Sequence, residues 1–150
     1  MKLKLPPVIV FGVFAGLMFL MAKLLPYGDF EFFGRSYLMF GLFGLAFFTG
    51  ALAVLQFVQS KTSIDPKVPV KATKLVVNGL YKVTRNPMYL ALLLILLAWG
   101  IWLGNAFSVL LAAGFVSYMN RFQIIPEEEA LSQLFGKEYR DYCKMVRRWF

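Results

Sequence analysis

"PMYLALLLILLAWGIWLGNAFSVLLAAGFVSYMNRFQII", residues 87–125, decides how this chain folds. Its apolar run is broken by Gly104-Asn105, and no charge occurs before Arg121. The two pieces, 87–103 and 106–125, are each near the ~20 residues that cross a bilayer core, the first being the shorter. Two helices joined by a two-residue turn must run back antiparallel. Arg85 to Tyr89, where the first begins, therefore lies beside Arg121 to Glu128, where the second ends.

Working outward, two more apolar stretches cover 6–25 and 37–58. Hydrophobic residues make up 59% of the 150, with 16 Phe, 7 Tyr and 3 Trp, far above the usual soluble composition. The expectation is an all-α integral membrane protein. It forms a single domain, 1–150, with about four transmembrane helices. Pro6-Pro7 opens the first span and Pro26 follows it, as helix punctuation requires. Lys2 and Lys4 before an apolar run also suit a secretory signal, but no small-residue cleavage site follows, so the segment reads as a retained span. Gly41, Gly44 and Gly50 in the second span read as packing positions.

The loop 59–86 holds Lys61, Lys67, Lys71, Lys74, Lys82 and Arg85 against Asp65; the loop 26–36 holds Arg35 against Asp29 and Glu31. The positive-inside rule places the long loop in the cytoplasm, with both termini. The loop's form stays open: a short helix, an extended piece, or a hairpin at Asn78-Gly79. Leu75, Val76, Val77, Leu80 and Tyr81 argue that it packs onto the membrane face. Pro126 opens a C-terminal helix, 127–147, with an apolar stripe through Leu131, Leu134, Phe135, Tyr139, Tyr142 and Val146. The opposite face carries Lys137, Arg140, Asp141 and Lys144, so the helix is amphipathic.

The net charge of +8 reads as topology signal facing anionic membrane lipids; no nucleic-acid motif is present. The chain has no histidine, and Cys143 is its one cysteine. Histidine-activated nucleophiles, His-ligated metals and a cysteine metal cluster are therefore excluded. No glycine-rich nucleotide loop follows a strand, which excludes the soluble methyltransferase fold.

Two motifs remain. In "TRNPMY", Asn86 suits a helix N-cap, Pro87 a first helical position, and Arg85 and Tyr89 an interface. In "PEEEALSQLFGKEYRDY", Glu127, Glu128 and Glu129 suit the first turn of a helix. Each reading is adequate alone. Juxtaposed by the hairpin, they make one polar cluster at the cytoplasmic membrane boundary. Charges there are costly and point to a functional site.

"LVVNGLYKVTRNPMYL", an apolar hairpin, "EE", and then "FGKEYRDYCKMVRRW" resemble the isoprenylcysteine carboxyl methyltransferase and phospholipid methyltransferase superfamily, over about residues 60–149. The resemblance rests on an Arg-x-Pro-x-Tyr box, a Glu-Glu pair after one hairpin, and Phe-Gly-x-x-Tyr. It implies S-adenosylmethionine as cofactor and a lipophilic acceptor: an isoprenylcysteine-like carboxylate, a thiol, or a lipid head-group amine. The implied cofactor-binding residues are Tyr81, Arg85, Asn86, Pro87, Tyr89, Arg121, Glu127, Glu128 and Phe135, with Arg85 and Glu128 catalytic. Glu127 or Glu128 would accept from the cofactor ammonium or ribose. Arg85 would pair with a carboxylate, on the cofactor or on an acidic substrate. Tyr81, Tyr89 and Phe135 would wall the adenine or sulfonium. The protein-prenylcysteine enzymes carry His where this chain has Asn86, which points to a prokaryotic-type enzyme in a cell membrane, its site facing the cytoplasm. No metal is implied. Two alternatives are an NADPH-dependent sterol-type membrane reductase and a non-catalytic membrane scaffold.

Overall fold

Helix boundaries follow from Pro, Gly and Asn placed where the backbone needs them. The computed structural model describes residues 5–60 and 75–150. Lys61, Lys67, Lys71, Lys74 and Asp65, which carry the topology argument, lie outside the described residues. Helix α1 spans Pro7–Leu24, with Pro7 at the position where a missing N–H costs nothing. Helix α2 spans Arg35–Gln59, α3 Pro87–Leu103, α4 Ala106–Met119 and α5 Ile125–Met145. No strand occurs among the described residues; the sheet-like pairings are the isolated bridges Asp29 to Asn105 and Thr84 to Arg147.

Helix α3 is the centre. It packs along α2 on one side and against α4 and α1 on the other. Its buried residues Tyr89, Ala91, Leu93, Leu96, Ala98 and Gly100 are not confined to one face. The core joins Val10 and Met18 of α1 to Leu93 and Leu96 of α3 and to Phe115 and Met119 of α4. Two side chains tie the helices through backbone carbonyls: Trp99 Nε1 donates to Ala15 O at 3.1 Å and Ser108 Oγ to Met18 O at 2.7 Å. In an apolar bundle such bonds supply direction where burial supplies none.

Helices α1 and α2, at 18 and 25 residues, are long and apolar enough to cross a membrane. Their outer faces leave Val8, Ile9, Leu20, Phe40, Phe47 and Phe48 exposed. Contiguous apolar surface on this scale is surface that lipid covers and water does not.

The α3–α4 turn is closed by Gly104, whose φ of 68° lies in the left-handed region that glycine enters freely. Asn105 next to it is fully buried. Its Oδ1 accepts from Ser108 N at 3.2 Å, capping α4, and its Nδ2 donates to Leu25 O at 2.7 Å and Asp29 Oδ1 at 2.9 Å. The turn is thereby locked to the α1–α2 connection. Asn105→Ala strands both acceptors and removes the cap. It should cost about 2–3 kcal/mol, seen as a lower midpoint of thermal unfolding in detergent; an unchanged midpoint would show the lock to be dispensable.

The far end of α4 departs from expectation. The sequence suggests a span ending at Ile125 and a fresh helix opened by Pro126. Instead α4 passes through a π-helical turn, Asn120–Ile124, directly into α5. Pro126 lacks an N–H and its ring crowds the carbonyl four residues back, at Phe122; a widened turn relieves both problems without breaking the helix. Helix α5 is kinked at Gly136, whose φ of 53° and ψ of −118° are non-helical. It ends at Met145 rather than at 147, and Val146 is extended. The tail then turns back beside residues 84–86. The segment before α3 runs through a 3-10 turn, Gly79–Lys82.

Candidate active site

Two residues at the start of α3, Arg85 and Tyr89, meet the first turn of α5. Tyr89 donates to Glu127 Oε1 at 2.6 Å. Arg85 Nη2 lies 3.2 Å from Glu128 Oε1, the two side chains being 12% and 17% exposed. The hairpin geometry thus brings together the residues that the turn at Gly104-Asn105 requires it to. Arg85 Nη1 also donates to Cys143 Sγ, and Arg85 Nε is buried without a partner.

Glu128 has a second guanidinium. Arg148 grips it as a fork, Nε to Oε1 at 2.9 Å and Nη2 to Oε2 at 2.7 Å. The pairing with Glu128 raises the Arg148 pKa further above its ordinary value. The tail that delivers Arg148 is held by backbone: Arg85 N donates to Arg147 O at 2.9 Å. Thr84 Oγ1 and Asn86 Nδ2 both donate to Arg148 O, at 3.0 and 2.9 Å. Asn86 therefore stands at the helix cap position, but its side chain makes no cap bond; it clasps the tail instead.

Among the described residues Glu127 has no such cation. Burial, with Glu128 beside it, pushes its carboxyl up to about 7, the Tyr89 hydrogen bond pulling in the other direction. Tyr81 and Tyr142 are also buried, and burial raises both hydroxyls well above the ordinary tyrosine range. They are fixed by the Tyr142 hydroxyl, which donates to Tyr81 O at 2.6 Å. These groups close the polar end of a cavity of about 900 Å³. From there the cavity runs between α2 and α3 along Gly50, Val54, Leu92 and Ile95. Phe47, Val54 and Leu55 line it and are also exposed on α2, so it opens sideways between helices.

Of the residues expected in a site, Tyr81, Arg85, Asn86, Pro87, Tyr89, Glu127 and Glu128 line this cavity. Arg121 and Phe135 do not. The π-helical turn puts Arg121 outward, over the Phe122 ring at 5.8 Å. Phe135 packs in a separate cluster with Leu75, Tyr139, Tyr142 and Val146. Three cavity or site residues escape a reading of the sequence alone: Tyr139, Tyr142 and Arg148. The tyrosines sit on the apolar stripe of α5, where they look like core. Arg148 had one available signal: two glutamates at a membrane boundary against Arg85 leave one negative charge unmatched.

The phospholipid methyltransferase family model matches residues 40–138. The chain belongs to the phospholipid methyltransferase family. The matched segment takes in α2, α3, α4, the π-helical turn and Glu127 and Glu128; Tyr139, Tyr142 and Arg148 fall beyond it. An uncharacterized protein of Haemophilus influenzae is 55% identical over 62 residues, which are 41% of this chain and 98% of that protein. No solved structure matches.

Proposed function

We propose that this methyltransferase-family chain is an integral membrane enzyme that methylates a lipophilic acceptor, with S-adenosylmethionine as donor. The observation that carries the reading is the cavity itself, charged at one end and apolar along a side open between helices. Its volume of about 900 Å³ lies near the upper end for small-molecule sites, at ~300–1,000 Å³. That leaves room for a cofactor and for the head of an acceptor. The residues fit the cofactor's chemistry. Arg85 lines the cavity where its guanidinium would meet the cofactor carboxylate, and the Tyr81, Tyr139 and Tyr142 rings line it for the adenine. Bound there, S-adenosylmethionine would supply an electrophilic methyl group on a sulfonium. The protein's part is alignment, holding two reactants in line, with no covalent intermediate. Arg85 and Arg148 hold Glu128, and the apolar walls keep water from the acceptor.

In this reading helices α1 to α4 cross the membrane, with residues 59–86 and α5 on the cytoplasmic face. The lock at Asn105 then faces outward. In a Cys143→Ser background, a cysteine at Phe33 should react with an impermeant reagent in intact cells and one at Lys137 should not; equal labelling would reject this topology.

The test of the cofactor claim is isothermal titration of S-adenosylmethionine into the protein in detergent. Glu128→Gln removes the carboxylate that Arg85 and Arg148 share and should weaken binding about tenfold to a hundredfold, the ~1–3 kcal/mol of a charged hydrogen-bond partner. Glu129 is exposed, so Glu129→Gln should bind as wild type does. Equal affinity for the two variants would remove Glu128 from the site, and absence of heat for all three proteins would remove the cofactor.

A further inference from the structure

Helix α2 walls the open side of the cavity, and from Leu38 to Val58 it is apolar except at Thr49 and Gln56. Gln56 stands outside the cavity. Its amide reaches instead to the turn before α3, where Oε1 accepts from Leu80 N at 3.0 Å. The fit there is close. Gly79 has a φ of 60°, and a Cβ at that position would collide with Nε2 and Cδ of Gln56. The next residue of α2, Phe57, lies in the cavity wall and sets its ring against that of Tyr81, the centroids 5.9 Å apart. From the other side α5 holds Tyr81, whose carbonyl accepts from the Tyr142 hydroxyl at 2.6 Å. A 3-10 turn of four residues, Gly79–Lys82, bonds poorly within itself, so its place depends on these neighbours.

We propose that Gln56 is a positioning residue for the cofactor: from outside the cavity, through the Leu80 amide, it sets the Tyr81 ring in the cavity wall. This rests on the reading of the cavity as an S-adenosylmethionine site. Leu80 N is among the first donors of the turn, which the turn's own carbonyls do not reach, and a buried amide needs an acceptor. A glutamine that served only as a helix end would turn its amide to the interface; this one supplies that acceptor. Leu80 immediately precedes Tyr81, so the anchored amide fixes the backbone from which the ring projects. Tyr142 fixes the carbonyl on the far side of the same residue. With the chain held on both sides of it, Tyr81 meets an adenine already in place, and less ordering is left for binding to supply. Gln56 touches neither reactant. It belongs to the helix that carries Phe47, Gly50 and Val54 along the opening, so one element places both the side wall and the ring.

Two replacements separate the bond from the bulk. Gln56→Met keeps the length of the side chain and removes the acceptor; Gln56→Glu keeps an acceptor oxygen in the same place. The first readout uses the unliganded protein in detergent, by amide hydrogen exchange and mass spectrometry. Peptides covering 79–83 should exchange faster in Gln56→Met and at the wild-type rate in Gln56→Glu, with α3 and α4 unchanged in both. The second is titration of S-adenosylmethionine. Gln56→Met should bind about fivefold more weakly, the size of one neutral hydrogen bond, and Gln56→Glu should bind as wild type does. Unchanged exchange at 79–83 in Gln56→Met overturns the anchor. Faster exchange that spreads through α3 and α4 makes Gln56 a residue of the fold alone and overturns its role toward the cofactor. Wild-type affinity in Gln56→Met, or a loss that Gln56→Glu does not restore, overturns the proposal and leaves the methyltransferase reading standing. A wild-type protein that takes up no S-adenosylmethionine overturns that reading and this proposal together, so the wild-type titration tells the two failures apart.

Discussion

Replacing Arg85 with lysine should lower methyl transfer at least tenfold while leaving the fold intact. The guanidinium is used in two directions, Nη2 toward Glu128 and Nη1 toward Cys143 Sγ, and its Nε is buried. A lysine ammonium is one point on a flexible stem. It can meet Glu128 or a ligand carboxylate, but not both from the same place. The backbone of residue 85 stays bonded to Arg147 O in either case, so expression and thermal unfolding should change little. If Arg85 were only an interfacial anchor, lysine would serve as well. The decisive measurement is label extracted into organic solvent from membranes given radiolabelled S-adenosylmethionine. Wild-type extraction from the lysine variant would reduce Arg85 to an anchor.

Ending the chain at Val146 should be as damaging, through binding rather than orientation. Loss of Arg147 to Phe150 removes the acceptors of Arg85 N, Thr84 Oγ1 and Asn86 Nδ2, and the donor from Trp149 Nε1 to Asn120 Oδ1. It also leaves Glu128 with Arg85 alone. Breaking a fully buried pair costs ~3–5 kcal/mol, but Arg148 is 38% exposed and solvent screens part of that. The expectation is about 1–3 kcal/mol, or about tenfold to a hundredfold weaker cofactor binding by titration. Arg148→Met separates the side chain from the tail: it should give most of the loss in binding and little of any loss in stability. If the shortened chain binds as tightly as the full one, the tail is packing only.

The contrast between Arg85 and Arg148 shows what the sequence makes legible. Arg85, Tyr89, Glu127 and Glu128 are found together because a two-residue turn leaves a helical hairpin little freedom, and Gly104-Asn105 marks that turn plainly. Arg121 lies outside the cavity for a definite reason. A π-helical turn adds to the winding between α4 and α5, and nothing in the periodicity of a single sequence records it except Pro126, which equally suits a fresh start. Phe135 lies outside the cavity too, packed against the cluster of Leu75, Tyr139, Tyr142 and Val146. The tail is silent because extended backbone pairing, Thr84 to Arg147, is read by main-chain atoms and has no residue signature. Its charges look like a topology signal until Glu128 is seen between them.

The buried asparagine at the opposite end of the bundle has a mechanical consequence. Asn105 pins the turn of the hairpin to Leu25 and Asp29, while the polar end of the cavity sits at the hairpin's other end, the length of α3 away. Seventeen residues make a lever of about 25 Å. Pinned at one end, it turns small slack into displacement at the other: a tilt of about 2° carries Tyr89 roughly 1 Å. An error of that size between donor and acceptor can cost about a hundredfold in rate. In the proposed reaction a residue that touches neither reactant would set their separation, from a pivot at the far end of the helix.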